Sequence, residues 1–278
     1  MIRFVLNNIS QNIKENAICH NIIIIMYDFI KILKEVNEGK SYLFFLGQAG
    51  FIIKTFTGKT IAIDLYLSDC GERKYGFKRL MPKLLNPDEI SFDCLIATHA
   101  HYDHFDVDAI PSLLSNGQTK LICALDCKNE LLNLDISPSQ ITYMVKGDHL
   151  KIIGIDIKAV FCDHGLDTPY AIGLVIDFDG KRLYFAGDTS LRLDKAQELA
   201  EFGPFDIMIA PINGAFGNMN ESEAVTLCSA LKPKLIIPCH YWNWAEHGGN
   251  PGLFVRILEE RLPNQKYLLM RMGEGVEI

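Results

Sequence analysis

The string THAHYDHFD, residues 98–106, carries His99, His101, Asp103 and His104 and takes three of the chain's eight histidines. In an extended segment side chains alternate, so His99 and His101 project to one side, and Asp103 and His104 follow as the chain turns. Imidazole nitrogen beside carboxylate oxygen, without thiolate, suits borderline divalent ions such as zinc, manganese or iron. One string cannot complete a two-metal centre, so further ligands must come from other strand ends. His164 closes AVFCDH, Asp188 closes RLYFAGD and His240 closes KLIIPCH, each after an apolar run. With these seven groups, one ion takes His99, His101 and His164, a second takes Asp103, His104 and His240, and Asp188 bridges them. Cys162 and Cys239 neighbour two of the histidines and read as small buried apolar residues. His149 reads as structural.

The elements that must position these groups are short β-rich runs from residue 42 onward: YLFFL, GFIIKTF, TIAID, CLIAT, KLICAL, HLKIIGIDIKAVF, AIGLVIDFD, KRLYFAG, FDIMIA and KLIIP. Helical patterns cover Asp194 to Phe202, Asn220 to Leu231 with Asn220 and Glu223 as a capping box, and about Gly252 to Leu262. Strand groups followed by helices, twice over, predict two sheets face to face with helices outside, a four-layer αββα sandwich of the α/β class. CLIAT stops at Thr98, so the ligand string lies beyond a strand's carboxyl end, where α/β proteins place their sites.

Composition bounds the rest. The 278 residues are 49% apolar with a net charge of −7, which suits one large domain or two small ones and argues against a nucleic-acid surface; without an internal repeat or low-complexity linker, a single domain is the economical reading. Eight cysteines without a CxxC pair predict reduced thiols in a cytoplasm. The run IIIIM at 22–26 is too short to span a bilayer. Asp28 can cap a helix with Phe29, Ile30, Leu33 and Val36 on one face. Residues 1–25, which include His20, fit no element, either as an extension or because the natural chain begins at Met26. The domain reading is therefore 1–40, an N-terminal extension with a short helix, and 41–278, the domain that carries the candidate ligands.

Asp64, the string at 99–104, His164, Asp188 and His240 resemble the five motifs of the metallo-β-lactamase superfamily. Within it, LGQAGFIIKT, IDLYLSD, FAGDT and PINGAFGNM are similar to the L-ascorbate-6-phosphate lactonase family. The resemblance implies the αββα sandwich, a cytoplasmic hydrolase using divalent metal (manganese in that family), and often a homo-oligomer. It also implies that Asp64 orients a metal-binding histidine. A periplasmic β-lactamase reading is weakened because those enzymes commonly have cysteine where Asp188 stands. An RNase Z or β-CASP nuclease would need a basic exosite or an inserted domain, and a flavodiiron protein a glutamate in the first string. A non-enzymatic scaffold sits poorly with seven filled ligand positions.

The expected chemistry is hydrolysis by a metal-activated hydroxide, with Asp103 or Asp188 relaying a proton. The substrate expected is a lactone or ester of a small phosphorylated, sugar-like metabolite. A phosphodiesterase or phospholipase-like activity is the alternative. Candidate substrate contacts are Arg79, Lys78, Asn213 and His247. The first two lie in GERKYGFKRLMPK, residues 71–83, a basic exception in an acidic chain, where Gly71 and Gly76 give a loop the freedom to fold over an anion. His247 follows the last ligand candidate in WNWAEHGG, and Asn213 lies in PINGAFGNM.

Overall fold

The apolar runs become strands because their residues alternate between two hydrophobic layers, which is why they read as nearly continuous apolar stretches. The computed structural model describes residues 29–36 and 39–278. The first sheet contains β1 (Tyr42–Gly47), β2 (Gly50–Lys54), β3 (Thr60–Ile63), β4 (Cys94–Ala97), β5 (Lys120–Ala124) and β6 (Ile141–Met144). The second contains β7 (His149–Ile152), β8 (Ile155–Val160), β9 (Gly173–Phe178), β10 (Lys181–Phe185), β11 (Ile207–Pro211), β12 (Leu235–Cys239) and β13 (Lys266–Tyr267). A last strand, β14 (Gly275–Glu277), returns to the edge of the first sheet beside β1. The strand orders are β14-β1-β2-β3-β4-β5-β6 and β13-β12-β11-β10-β9-β8-β7.

Leu43, Phe45, Phe51, Ile53, Ile61, Ile63 and Ile96 of the first sheet join the core between the sheets. Their neighbours Phe44, Leu46, Ile52, Ala62 and Leu95 join a second cluster on the outer face. A helix over 29–35, α1, contributes Phe29 and Leu33 to that outer cluster. It is followed by α2 (Cys70–Tyr75), α3 (Ile110–Leu114) and α4 (Lys128–Leu131). On the other side α5 (Leu193–Ala200), α6 (Glu221–Leu231) and α7 (Pro251–Arg261) bury Leu199, Val225 and Phe254 with the second sheet. The helix order and the Asn220–Glu223 capping box match the sequence reading, and the four layers are those expected. No helix of the described residues is long and apolar enough to cross a membrane.

Several local expectations are corrected. HLKIIGIDIKAVF is a hairpin, β7 and β8, because Ile153 and Gly154 both take left-handed backbone (φ 47° and 89°) and reverse the chain. The basic segment is not an open loop. Its start is α2, and Gly71 is there for contact rather than freedom: a Cβ would lie 2.3 Å from the Trp244 ring. Gly76 does use its freedom, ending α2 at φ 79°. The Asp28 cap, the IIIIM run, His20 and the choice between Met1 and Met26 lie outside the described residues.

Candidate metal centre

Strands β3, β4, β5 and β6 run parallel, as do β10, β11, β12 and β13, so their carboxyl ends collect along one edge of the sandwich. Asp64 follows β3, His99 to His104 follow β4, His164 follows β8, Asp188 follows β10 and His240 follows β12. The structure brings all seven candidate ligands together. His101 Nδ1 lies 3.1 Å from His99 Nε2 and 2.9 Å from His164 Nε2. Beside this triad, His104 Nε2 lies 3.1 Å from His240 Nε2, and Asp103 Oδ2 is 3.5 and 3.3 Å from those two nitrogens. Asp188 Oδ2 stands between the groups, 3.1 Å from His240, 3.3 Å from His104 and 3.8 Å from His164.

Four ligand atoms about 2.1 Å from a tetrahedral zinc lie about 3.4 Å apart, so these separations fit metal ligation. Three sets, His99/His101/His164, His99/His104/Asp188 and Asp103/His104/His240, could each hold an ion. Asp188 Oδ1 is buried without a hydrogen-bond partner, a rare condition that a cation would relieve.

Asp64 is fully buried and orients the centre from behind. Its Oδ1 accepts from Thr98 N at 2.8 Å, and its Oδ2 accepts from Thr98 Oγ1 at 2.6 Å and from His104 Nδ1 at 2.8 Å. The proton of His104 is thereby fixed on Nδ1, leaving Nε2 to face the cluster. Left-handed backbone at Gln48, Asp64, Phe216 and His240 aims four residues in or beside the centre, strain of a kind that gathers at functional sites.

Burial penalises charge on every imidazole here. At His99, His101 and His164 burial prevails and the rings stay neutral, His164 falling to about 4. At His104 and His240 the burial penalty is overcome by Asp188 and Asp103, lifting His104 well above its usual value and His240 to about 9. Asp103 and Asp188, despite burial, are held well below the carboxylate range by those imidazoles. In the metal-free protein one half of the centre therefore presents bare nitrogens and the other holds protons that an ion must displace.

Above this floor opens a cavity of about 410 Å³ walled by Tyr75, Phe77, Phe216 and Trp244, with Leu166 and Asp167 at its rim. His247 lines it, stacked on His240 at 4.7 Å. The other three expected contacts do not line it. Arg79 is buried: it donates to the carbonyls of Tyr66 and Ser68 at 2.9 and 2.7 Å and stacks on the Tyr66 ring at 3.8 Å. Its backbone bridges to Trp244, so Arg79 fastens the cavity wall instead of meeting an anion. Lys78 is exposed outside the cavity. Asn213 is buried beneath Gly248, whose missing Cβ would lie 2.5 Å from the Asn213 carbonyl.

Sequence reasoning missed three groups. Gln48 donates to Asp103 Oδ2 at 2.6 Å and lies 3.0 Å from His247 Nδ1. Asn218 donates to Asp188 Oδ2 at 2.6 Å. Asp106 accepts from Leu67 N and Ser68 N at 2.8 and 2.7 Å, tying the chain after Asp64 to the ligand string. A signal existed for Gln48 and Asn218 inside LGQAGFIIKT and PINGAFGNM, which were read as strings without roles for those residues.

A family model described as a beta-lactamase superfamily domain matches residues 42–240. With two helix-flanked sheets and the site at their shared edge, the chain belongs to the metallo-β-lactamase superfamily. A UPF0173 metal-dependent hydrolase from Thermococcus kodakarensis is 29% identical over 245 residues, spanning 84% of this chain and 98% of that protein. Another, from Polynucleobacter asymbioticus, is 31% identical over 258 residues, spanning 86% and 87%. Igni18, a metallo hydrolase from Ignicoccus hospitalis, has the same fold with a TM-score of 0.67 at 24% identity, over 86% of this chain and 98% of its own. The protein is thus a metal-dependent hydrolase of that superfamily.

Proposed function

We propose that this hydrolase opens a lactone or ester of a small metabolite at the seven-residue centre. His99, His101 and His164 hold one divalent ion, Asp103, His104 and His240 a second, and Asp188 lies between them; manganese, zinc and iron all suit nitrogen and oxygen donors. The observation that carries the reading is the convergence of these side chains at the floor of a substrate-sized cavity. Ions bound there supply Lewis acidity and an acidified water. In the reaction, water adds its oxygen to the acyl carbon, the acyl–oxygen bond breaks, and the departing oxygen takes a proton.

The chain's own residues orient and hold protons. Asp103, held ionised, requires a donor, so the Gln48 amide turns its Nε2 toward it, and the second hydrogen on that nitrogen points to His247 Nδ1. His247 Nδ1 therefore accepts, and its proton sits on Nε2, from which it can donate to a substrate oxygen gaining charge. Asp103 or Asp188 carries the water's proton.

The strings at 46–55 and 211–219 support a lactone through their similarity to L-ascorbate-6-phosphate lactonases. A phosphate on the substrate loses its support, because Arg79 and Lys78 do not line the cavity. The same lack weakens the phosphodiester alternative. Homo-oligomerisation and a cytoplasmic setting complete the reading, the latter in keeping with free thiols at seven described cysteines. His101→Ala and Asp188→Asn, assayed on lactones beside circular dichroism, should each lower the rate by about a hundredfold or more, beyond the 10–100-fold typical of residues that merely support a ligand. Retained activity in both folded variants would discard the assignment.

A further inference from the structure

The cavity wall offers aromatic faces, while nothing along it neutralises an anion. Phe77 is the hub, its ring 5.6 Å from Phe216 and 5.4 Å from Trp244, and Trp244 in turn lies 4.9 Å from His247. The rim is more apolar than a protein surface ordinarily leaves open: Leu166 is 95% exposed and Phe216 60% exposed, both beside the opening. Such residues remain in water unless something apolar covers them.

None of the thirteen lining residues is lysine or arginine. Of the five cations in the 71–83 segment, Arg73 pairs with Asp108 at 2.6 Å, Lys83 with Asp69 at 2.6 Å, and Arg79 donates to two carbonyls, while Lys74 lies over the Tyr102 ring at 5.1 Å and Lys78 is exposed, neither of them lining the cavity. Asp167 adds a negative charge at the rim. An anionic group seated away from the floor would shed water against aromatic rings and face a carboxylate, with no cation in return. An apolar cavity of roughly 150 Å³ admits benzene, so 410 Å³ takes a ring of that size and still leaves room for the reacting carbonyl over the histidines.

We propose that the cavity selects an uncharged substrate carrying an aromatic or comparably flat apolar group, seated on Phe77 and Phe216 with Trp244 buried behind them, and with the scissile carbonyl lowered toward His101 and His164. The substrate class rests on the hydrolytic reading above for its reacting bond, and on the wall alone for its apolar part.

Metal-loaded protein is tested with dihydrocoumarin, with δ-valerolactone, which has the same lactone ring without the benzene, and with a ring-carboxylated dihydrocoumarin. Rates are divided by those of the hydroxide reaction to remove intrinsic reactivity. Binding of the matching unreactive lactams is followed by tryptophan fluorescence. The fused benzene should improve both corrected kcat/KM and lactam affinity by about tenfold or more, the discrimination expected from covering one ring, and the carboxylate should abolish that gain. Phe216→Ala, at an exposed position, should bring the benzene's advantage toward unity while metal content stays at the native level, since only uniform binding of the ring is lost. Equal affinity for the two lactams, preference for the carboxylated compound, or an advantage unmoved by both Phe216→Ala and Phe77→Ala overturns the proposal. Lactam discrimination without turnover of any lactone upholds the apolar seat and overturns the hydrolytic reading instead.

Discussion

Replacing Asp64 with asparagine should uncouple one half of the metal centre from the other. The substitution keeps shape and backbone, because asparagine tolerates the left-handed conformation that Asp64 adopts at φ 48°. Thr98 N can only donate, so the remaining oxygen must stay toward it, 2.8 Å away in the native chain. The new amide nitrogen then faces Thr98 Oγ1, which can rotate and accept, and His104 Nδ1, which must give up its proton to accept. That proton moves to Nε2, the atom 3.1 Å from His240 Nε2, and removes the lone pair that would meet an ion. Losing a hydrogen bond to a charged partner costs about 1.5–3 kcal/mol, equal to a factor of roughly 10 to 150. The position formed by Asp103, His104 and His240 should therefore bind zinc or manganese about 10 to 100-fold more weakly, while that of His99, His101 and His164 changes little. Competition against a chromogenic chelator resolves the two equivalents, with circular dichroism as the fold control. Two equivalents bound as in the native protein, or both weakened alike in a folded variant, would refute the reasoning.

Arg79→Ala should lower stability by about 2–4 kcal/mol in urea unfolding, because a buried guanidinium leaves two carbonyls and the Tyr66 ring without it. It should leave the ratio of KM values for charged and uncharged substrates unchanged, and a severalfold selective rise for the charged one would return Arg79 to substrate recognition. Acidifying the metal-free protein from pH 6.5 toward 4 should lower its melting temperature. Burial holds both His164 and His247 down to about 4, so across that window the unfolded chain binds more protons than the folded one and stability falls with pH. His104 and His240 are protonated throughout in the folded chain and finish protonating in the unfolded chain just below pH 6.5, so they oppose the fall only slightly, at the top of the window. A melting temperature constant or rising over the window would contradict this.

The candidate ligand positions were legible because they cluster just past the ends of apolar strands, as in CLIAT before His99 or KLIIPC before His240. What the sequence concealed was what loops do when they fold back. Gln48 and His247 are 199 residues apart, and the turn between β1 and β2 and the chain after β12 bring them within 3.0 Å of each other, with Gln48 reaching on to Asp103. Phe77, Phe216 and Trp244 come from three separate loops, so no periodicity announces the wall they form. Arg79 misled because charge was counted without burial, and a carbonyl partner leaves no mark in a sequence. Strand β14 is only three residues long and pairs through its backbone, with Gly275 lying where a Cβ would strike the Phe44 ring. Its register is fixed by the ring it passes, and its own composition carries no strand pattern.

Hydrolysis is proposed to require ions held by these seven side chains. Protein stripped with chelator and titrated with manganese or zinc, while lactone hydrolysis is read at each addition, tests it most directly. Activity should be absent at the start, rise with added ion, and saturate at one to two equivalents per chain, since the three overlapping ligand sets share residues and leave room for no more than two. Hydrolysis that persists in the stripped protein, or binding of ion that leaves the rate unmoved, would contradict it.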